Sequence, residues 1–428
     1  MDTERIVVGL DIGTTKVVAI VGRLNGYGNV DVLGLGKAES EGVTRGVIDN
    51  IDKTVAAIQA AIHEAERQAN VEINLVHVGI AGEHIRTLKH KGIITLSNPD
   101  QEITLADVER LRADMFKVAV PPGTEILHVI PQDYSVDSHH DVKDPVGMSG
   151  VRLEGNFQII TCQSLSARNI YKCVRKAGLE VEELVLQPLA SAHAVLSDEE
   201  KEAGVCLVDI GGGTTDLVIF ENNIIRHTAV IPFGGSIITE DIKQGCSVMR
   251  KQAEYLKRTF GAALAQALTE DEIITISGLS GRPPKEIMRR TLAGIIQARM
   301  EEILDLVVRE IVAAGFQHRL VGGIVVTGGG AELVHLADLV SYVTGIDCRV
   351  GYPTEHLAKG MVEEVSHPFC ATGMGLVVYG LKAEEVNVSG GSREPQPQRT
   401  KEPVGAGFLG KIKTWFEGSL ANSGPTLD

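Results

Sequence analysis

Two segments of the chain place an aspartate, glycines and threonines between two apolar, β-prone runs. Each pattern predicts a strand, a glycine-rich turn and a second strand. The polar and small residues of the two segments are Asp11, Gly13, Thr14, Thr15 and Lys16 in the first, and Asp209, Gly211, Gly212, Gly213 and Thr214 in the second. Glycines let the backbone approach a ligand closely with its N–H groups turned inward, and threonine hydroxyls add donors. We interpret both turns as phosphate-binding hairpins.

The charged residues of the two segments agree with this interpretation. Asp209 and Asp216 would repel a phosphate unless a cation lay between them, and Mg²⁺ is usually held through one or two carboxylates and water. Lys16 would supply a point positive charge to a phosphate. Because the pattern occurs twice, we predict two similar halves whose hairpins clamp a polyphosphate from both sides. For either copy alone, the alternative is an ordinary glycine-rich hairpin.

Length and composition limit the possible classes of protein. At 428 residues, the chain is expected to form about two or three domains. A net charge of −15 argues against a general nucleic-acid binder. Six cysteines without a C-x-x-C pair indicate buried thiols in a reducing compartment. The first apolar run is interrupted by Asp11 and no apolar run is long enough to span a membrane, so we expect neither a signal peptide nor a membrane span.

The first hairpin is followed by elements that would position it. A helix is predicted from Lys53 to Ala69 with Asp52 as its N-cap. Residues 85–165 interrupt the pattern with strands and a helix that Thr104 would cap, and we interpret them as an inserted subdomain. Beyond it, a strand runs into a helix at Pro188, a favoured first-turn residue. Gln187 lies at the end of this strand, facing the expected position of a γ-phosphate.

The second half adds three further candidate groups. Glu254 and Lys257 lie three residues apart on one helix face, where a surface salt bridge is the alternative to a ligand contact. Gly328, Gly329 and Gly330 follow a predicted strand and precede a predicted helix, which allows close approach of a base or a phosphate. This spacing is not that of a Rossmann dinucleotide site. A long helix is predicted over 285–313, with basic residues near its start that suit an acidic peptide or form a solvated helix start: Arg282, Lys285, Arg289 and Arg290.

The composition changes near the end of the chain. Residues 382–403 are rich in Pro, Gly, Ser, Glu and Gln, which predicts a disordered linker. Residues 404–421 would form an amphipathic helix, and we interpret it as lying in a membrane interface. Its apolar face and flanking lysines include Phe408, Leu409, Lys411, Ile412, Lys413, Trp415 and Phe416. Docking on a partner protein or on its own domain is the alternative.

Together these segments resemble the actin, sugar-kinase and heat-shock-chaperone ATPase superfamily. More narrowly, they resemble the FtsA family of bacterial cell-division proteins over about residues 5–381 and the tail. The segments that carry this likeness are His128–Gln132, Asp144–Arg152, Val208–Thr214, Gly281–Pro284 and the terminal amphipathic helix. The resemblance implies an α/β, actin-like (ribonuclease H-like) duplicated fold with a nucleotide cleft. The implied subdomains are 1A over 1–84 and 166–200, the inserted 1C over 85–165, 2A over 201–236 and 303–381, and 2B over 237–302.

The resemblance also implies ligands and roles. ATP with Mg²⁺ would occupy the cleft, with Asp11 and Asp209 orienting the metal and its waters. The two turns and Lys16 would hold phosphates, and Gly328 to Gly330 would hold the adenosine. Glu254 would reach the ribose, and Lys257 would flank the base. Gln187 would be the catalytic, water-orienting residue of a slow hydrolysis.

The implied biological role is structural. The protein would polymerise into actin-like filaments on the inner face of the cytoplasmic membrane at the division site. It would tether FtsZ there by binding the acidic FtsZ tail at the basic cluster around Arg289, and later division proteins would bind subdomain 1C. A small-molecule kinase of the same fold is one alternative, although Gln187 cannot act as the base that it needs. A pilus-assembly adaptor of similar fold is the other.

Overall fold

The computed structural model describes residues 6–96, 102–269, 272–278, 283–358 and 363–389. The chain divides into one unit from Met1 to Lys382 and another from Ala383 to Asp428. The sheets and the candidate site described below belong to the first unit. The predicted terminal helix, with its seven membrane-facing residues from Phe408 to Phe416, lies outside the described residues.

The regular elements alternate between strands and helices along the chain. The strands are β1 (Ile6–Ile12), β2 (Lys16–Leu24), β3 (Val30–Glu39), β4 (Val43–Thr44), β5 (Val47–Ile48), β6 (Leu75–Ile80), β7 (Arg86–Thr95), β8 (Thr124–Val136), β9 (His139–Val142), β10 (Arg152–Gln163), β11 (Glu180–Leu186), β12 (Val205–Ile210), β13 (Thr215–Glu221), β14 (Ile224–Ile231), β15 (Ile273–Ile276), β16 (Lys285–Met288), β17 (Ile324–Thr327) and β18 (Cys348–Val350). The helices are α1 (Ile51–Ala69), α2 (Leu105–Met115), α3 (Ser164–Lys176), α4 (Gln187–Val195), α5 (Asp198–Ala203), α6 (Gly235–Gly245), α7 (Arg250–Phe260), α8 (Arg289–Ala313), α9 (Leu336–Thr344) and α10 (Ala371–Ser389).

Two five-stranded sheets repeat one topology. The first has the order β11-β6-β1-β2-β3, and the second has the order β14-β13-β12-β17-β18. In each, three consecutive antiparallel strands are extended by two parallel strands on the far side of the first. The two glycine-rich turns therefore occupy equivalent positions, between β1 and β2 and between β12 and β13. The predicted duplication is confirmed.

Helices cover both sheets and also lie between them. Ile58 of α1 and Val174 of α3 pack in one core against the first sheet. The second sheet packs against a core that contains apolar residues of α6, α7, α8 and α9. A third core joins residues of both sheets, such as Ile20 and Val218, with residues of α4 and α10. The helices α4 and α10 thus link the two halves of the molecule.

An antiparallel sheet of order β7-β10-β8-β9 forms the predicted insertion. Helix α2 packs on it, with Leu111 and Met115 buried in a separate small core. Thr104 caps this helix as predicted, through a reciprocal pair of hydrogen bonds with Asp107. The Gln132 and Gln158 amides donate to backbone carbonyls of β14, so the insertion also contacts the second half.

Some predicted boundaries are wrong. Helix α1 begins at Ile51 because the Asn50 side chain, rather than that of Asp52, accepts the Lys53 N–H group. Lys285 lies on β16, which pairs with β15, so the long helix starts only at Arg289. Helix α10 continues through Ser389 and therefore enters the predicted linker, and the rest of the linker lies outside the described residues.

Two further findings concern thiols and membranes. All six cysteines are free, and five of them are buried, as the sequence predicts. In the described part of the chain, no helix combines the length and the apolar character needed to cross a membrane.

Candidate functional site

The two glycine-rich turns have the same local geometry and lie against each other. The Gly13 N–H group donates to the Lys16 carbonyl at 3.0 Å, and the Gly211 N–H group donates to the Thr214 carbonyl at 2.9 Å. A Cβ atom on Gly212 would lie only 2.5 Å from Thr15 Cγ2. Because Gly212 has no side chain, the two hairpins can approach each other at this point.

A third glycine segment joins this pair. Gly328 has a φ of +81°, and a Cβ atom there would lie 2.2 Å from Asp209 Oδ1. A Cβ atom on Gly329 would lie 3.8 Å from Lys16 Nζ. Only glycine fits at Gly328, because both the backbone angle and the contact exclude a side chain. The three segments thus converge near Asp209 and Lys16, although the predicted helix after Gly330 is a 3₁₀ turn, Gly329–Glu332, and α9 follows it.

Buried carboxyls lie at the base of the two hairpins. Asp11 and Asp209 are each 8% exposed, and Asp216, which pairs with Asp209 in the β12–β13 register, is 4% exposed. Gln187, the first residue of α4, donates its amide to Asp11 Oδ1 at 2.9 Å. Thr214 donates to Asp216 Oδ2 at 2.9 Å, while Asp216 Oδ1 is buried without a hydrogen-bond partner among the described residues.

If all three buried carboxyls were ionised, Lys16 alone would not balance their negative charge. Burial, followed by repulsion from Asp209, raises the pKa of Asp11 to about 7. Burial and the same neighbour raise the pKa of Asp216 to about 8, and burial raises the pKa of Asp209. Burial lowers the pKa of Lys16 to about 8, although the Asp11 charge opposes this. Three carboxyls near one lysine favour a bound cation, because a cation would stabilise the ionised forms.

The carboxyls do not form a closed metal cage. Among the described residues, no group of three or more His, Cys, Asp or Glu side chains is arranged to hold a metal ion. This arrangement suits a cation that takes most of its ligands from water or phosphate.

Glu254 and Lys257 lie beside the second turn. Lys257 Nζ contacts Glu254 Oε2 at 2.7 Å and donates to the Gly235 carbonyl at 2.9 Å, and the Gly235 N–H group donates to the Gly211 carbonyl. Burial, the largest single influence, disfavours the Glu254 charge, but the Lys257 charge and the hydrogen bonds from Lys257 and Thr239 together lower the pKa of that carboxyl. Burial lowers the pKa of Lys257 as well. The salt bridge therefore exists, and it lies at the second turn. Contact of the two residues with a ribose and a base stays a prediction.

The predicted basic cluster is held largely by contacts within the chain. Arg289 pairs with Glu272 at 3.0 Å and donates to the Phe260 carbonyl, and Arg290 donates to the Leu268 carbonyl. Lys285 is exposed and makes a long contact of 3.4 Å with the Ser247 carbonyl. Arg282 lies outside the described residues. The arginines therefore brace the start of α8.

Two site residues were missed by the sequence reasoning. Ser191 Oγ donates to Asp209 Oδ2 at 2.7 Å, and Thr372 Oγ1 donates to the same oxygen at 3.3 Å. Ser191 follows Gln187 by four residues on α4, so helical spacing could have indicated that both face the site. No comparable signal marks Thr372, which comes from α10.

Two duplicated sheets with facing glycine-rich hairpins, joined by two linking helices, define an actin-like protein that carries an inserted subdomain. Comparison with known proteins gives the particular family. The family model "Cell division protein FtsA" matches residues 206–375, and the model "SHS2 domain inserted in FTSA" matches residues 82–161. The cell division protein FtsA of Pseudomonas aeruginosa is 41% identical over 98% of this chain and 99% of its own length. FtsA of Escherichia coli K12 is 36% identical over 96% of this chain and 98% of its own length. The chain belongs to the FtsA family of cell division proteins.

Solved structures support the fold. A chain of the PilM–PilN type IV pilus biogenesis complex aligns with a TM-score of 0.63 at 17% identity, covering 88% of this chain and 98% of that one. MreB5 of Spiroplasma citri bound to ADP aligns with a TM-score of 0.55 at 16% identity, covering 90% of this chain and 99% of that one. At these identities the likeness concerns the fold alone. Membership of the FtsA family argues against both the pilus-adaptor and the kinase alternatives.

Proposed function

We propose that the chain binds ATP with Mg²⁺ between its two halves. The convergence of three glycine-rich segments on Asp209 and Lys16 carries this proposal. The first and second turns and Lys16 would hold the phosphates, and Gly328 to Gly330 would hold the adenosine. The solved MreB5 structures of the same fold hold ADP and AMPPNP.

The buried carboxyls fit a magnesium ion. Asp11 and Asp209 have raised pKa values because they are buried, so a cation beside them would favour their ionised forms. When bound, Mg²⁺ would offset the charge of the phosphates. Gln187 holds its amide against Asp11 and would orient a water molecule. Slow hydrolysis is consistent with a site that offers positioning but no covalent chemistry.

A pair of lysines tests the nucleotide proposal. Lys16 and Lys37 both lie over the Phe369 ring, at 3.7 and 4.1 Å from its centroid, but only Lys16 lies in the first turn. Lys16→Met is expected to weaken ATP binding about tenfold or more, and Lys37→Met to change it little. Titration with a fluorescent ATP analogue measures both. No binding by the natural protein, or equal losses in the two variants, would overturn the proposal.

We further propose that the chain forms filaments on the inner face of the cytoplasmic membrane at the division site and tethers FtsZ there. Family membership supports the role in division. The amphipathic segment with Phe408, Ile412 and Trp415 would bind anionic lipid, and clustering of copies would strengthen it. We assign the β7-β10-β8-β9 sheet to subdomain 1C, which later division proteins would contact.

Co-sedimentation with anionic liposomes tests the membrane proposal. The full chain, with and without ATP, is compared with a chain that ends at Lys401. Binding by the full chain alone, and stronger with ATP, is expected for a tethered filament. Equal behaviour of the two chains would remove the membrane role and leave a tail that binds protein.

The acidic FtsZ tail is proposed to bind near β16. Because Arg289 and Arg290 contact other parts of the chain, Lys285 is the residue to change. Lys285→Glu is expected to weaken binding of an FtsZ tail peptide. The matched control is Lys251→Glu at an exposed position of α7. Equal affinity of the two variants would place the peptide elsewhere.

A further inference from the structure

The Asp209 carboxylate is held by hydroxyl groups from both helices that link the halves. Ser191 of α4 donates to Asp209 Oδ2 at 2.7 Å, and Thr372 of α10 donates to it at 3.3 Å. The two hydroxyl oxygens lie 3.1 Å from each other. Ser191 is fully buried and Thr372 is 7% exposed, so both residues are largely shielded from solvent.

The two linking helices are in tight contact within one helical turn of these hydroxyls. A Cβ atom on Gly375 would lie 1.8 Å from the Ala190 carbonyl oxygen, so the α10 backbone lies directly against α4. Gly375 follows Thr372 by three residues, and Ala190 precedes Ser191. This contact therefore sets the distance between the two backbones that carry the hydroxyls.

Helix α4 reaches both halves of the site from one face. Gln187 donates to Asp11, and Ser191, one turn later, donates to Asp209. With Oδ2 of Asp209 held by the hydroxyls, Oδ1 is left beside Gly328 at the third glycine segment. The carboxylate thus has one oxygen committed to the linking helices and the other directed to the loop proposed to hold nucleotide.

We infer that Ser191 and Thr372 are positioning residues that hold Asp209 for a magnesium-bound nucleotide and tie it to the arrangement of the linking helices. The inference rests on the proposed nucleotide function. Because both hydroxyls hold Oδ2, they fix the orientation of the carboxylate and leave Oδ1 at the third glycine segment. Both bonds to Oδ2 can form together only when α4 and α10 keep this contact, so cation binding favours this arrangement of the two helices.

Nucleotide titrations of the full chain, with Mg²⁺ or with EDTA, test the inference. The variants are Ser191→Ala, Thr372→Val and the double variant, with Ser166→Ala, a buried serine of α3, as a control. Each single variant is expected to weaken ATP binding about tenfold in Mg²⁺, since bonds to charged groups are the stronger ones. In EDTA the change is expected to be small. The fold-loss of ATP affinity in the double variant should be smaller than the product of the two single fold-losses, because both hydroxyls donate to one oxygen.

A conservative variant separates positioning from packing. Thr372→Ser keeps the hydroxyl and removes a methyl group, so it should restore the Mg²⁺-dependent affinity that Thr372→Val loses. Unchanged affinity in both single variants, or equal losses with and without Mg²⁺, would overturn the inference. A natural protein that shows no ATP binding would overturn the proposed function and the inference together. The natural protein's affinity is therefore measured first, so that the two failures are distinguished.

Discussion

Asp216→Asn is expected to stabilise the protein without nucleotide and Mg²⁺, and to do so most at alkaline pH. The Asp216 side chain is 4% exposed, and its Oδ1 atom has no hydrogen-bond partner in the described part of the chain. Burial, then the Asp209 charge, raises its pKa from 3.8 to about 8. Asparagine has nearly the same shape and no charge, so it resembles the protonated carboxyl.

The sign of this pH dependence follows from the number of protons that the folded and unfolded states bind. Between pH 4 and pH 8, the folded protein keeps the Asp216 proton that the unfolded chain releases. The folded state then binds more protons, so the free energy of unfolding of the natural protein falls as pH rises through this range. The slope is about 1.4 kcal/mol per pH unit for one such group, which gives roughly 3 kcal/mol between pH 5.5 and pH 8 as an upper limit. Hydration of the cleft reduces this, and we expect about 1 to 2 kcal/mol.

Urea denaturation at pH 5.5, 7 and 8.5, in EDTA, measures the effect. The difference between Asp216→Asn and the natural protein should grow from pH 5.5 to 8.5. Asp305→Asn, on the exposed face of α8, is the control and should give a constant difference. A constant or shrinking difference for Asp216→Asn would refute the reasoning, since the carboxyl would then be ionised in the fold at pH 5.5.

Two further predictions concern packing and a buried histidine. Gly375→Ala would place a methyl group 1.8 Å from a backbone carbonyl oxygen of α4. It should lower the free energy of unfolding, measured in urea, by about 1 to 3 kcal/mol. The control Gly294→Ala, where no atom lies within 4 Å of the added methyl group, should not lower it. His128 Nε2 accepts the Leu186 N–H group at 3.0 Å, and burial lowers the pKa of His128 to about 4. The folded state excludes a proton that the unfolded chain binds below its ordinary value of 6.5, so stability should fall from pH 6.5 to pH 4. His128→Phe should cost about 1 to 3 kcal/mol at pH 7 and reduce that fall, as thermal unfolding across pH would show.

The hairpins were predictable because their signal is local. An aspartate, a turn of small residues and flanking apolar runs define a strand pair within fewer than twenty residues, and the second copy then implied the duplicated sheets. The boundaries that failed depend on competition between similar groups. Asn50 and Asp52 are both good helix caps, and in the fold the Asn50 side chain accepts the Lys53 N–H group. Residues 285–288 have no strong strand pattern, and pairing with β15 decides their conformation.

The contacts of Asp209 were not predictable from spacing. Thr372 lies 163 residues from Asp209 and 181 residues from Ser191 along the chain, so only the tertiary fold brings them together. The basic cluster shows the reverse problem. Its charges lie close together in sequence and suggest a site for an acidic peptide or a solvated helix start, yet Arg289 pairs with Glu272 and donates to a backbone carbonyl.

The two halves repeat one topology, but the linking helices treat their aspartates differently. Asp11 receives one amide hydrogen from Gln187, whereas Asp209 receives two hydroxyl hydrogens on one oxygen. Since Gln187 and Ser191 lie one turn apart on α4, about 6 Å of helix rise separates the groups that reach the two carboxyls. A shift of α4 along its axis would therefore disturb both aspartates, while a shift of α10 would disturb Asp209 through Thr372. The symmetric sheets supply two equivalent turns, but the contacts of the helices are asymmetric: Asp11 is held from α4, whereas Asp209 is held from both α4 and α10.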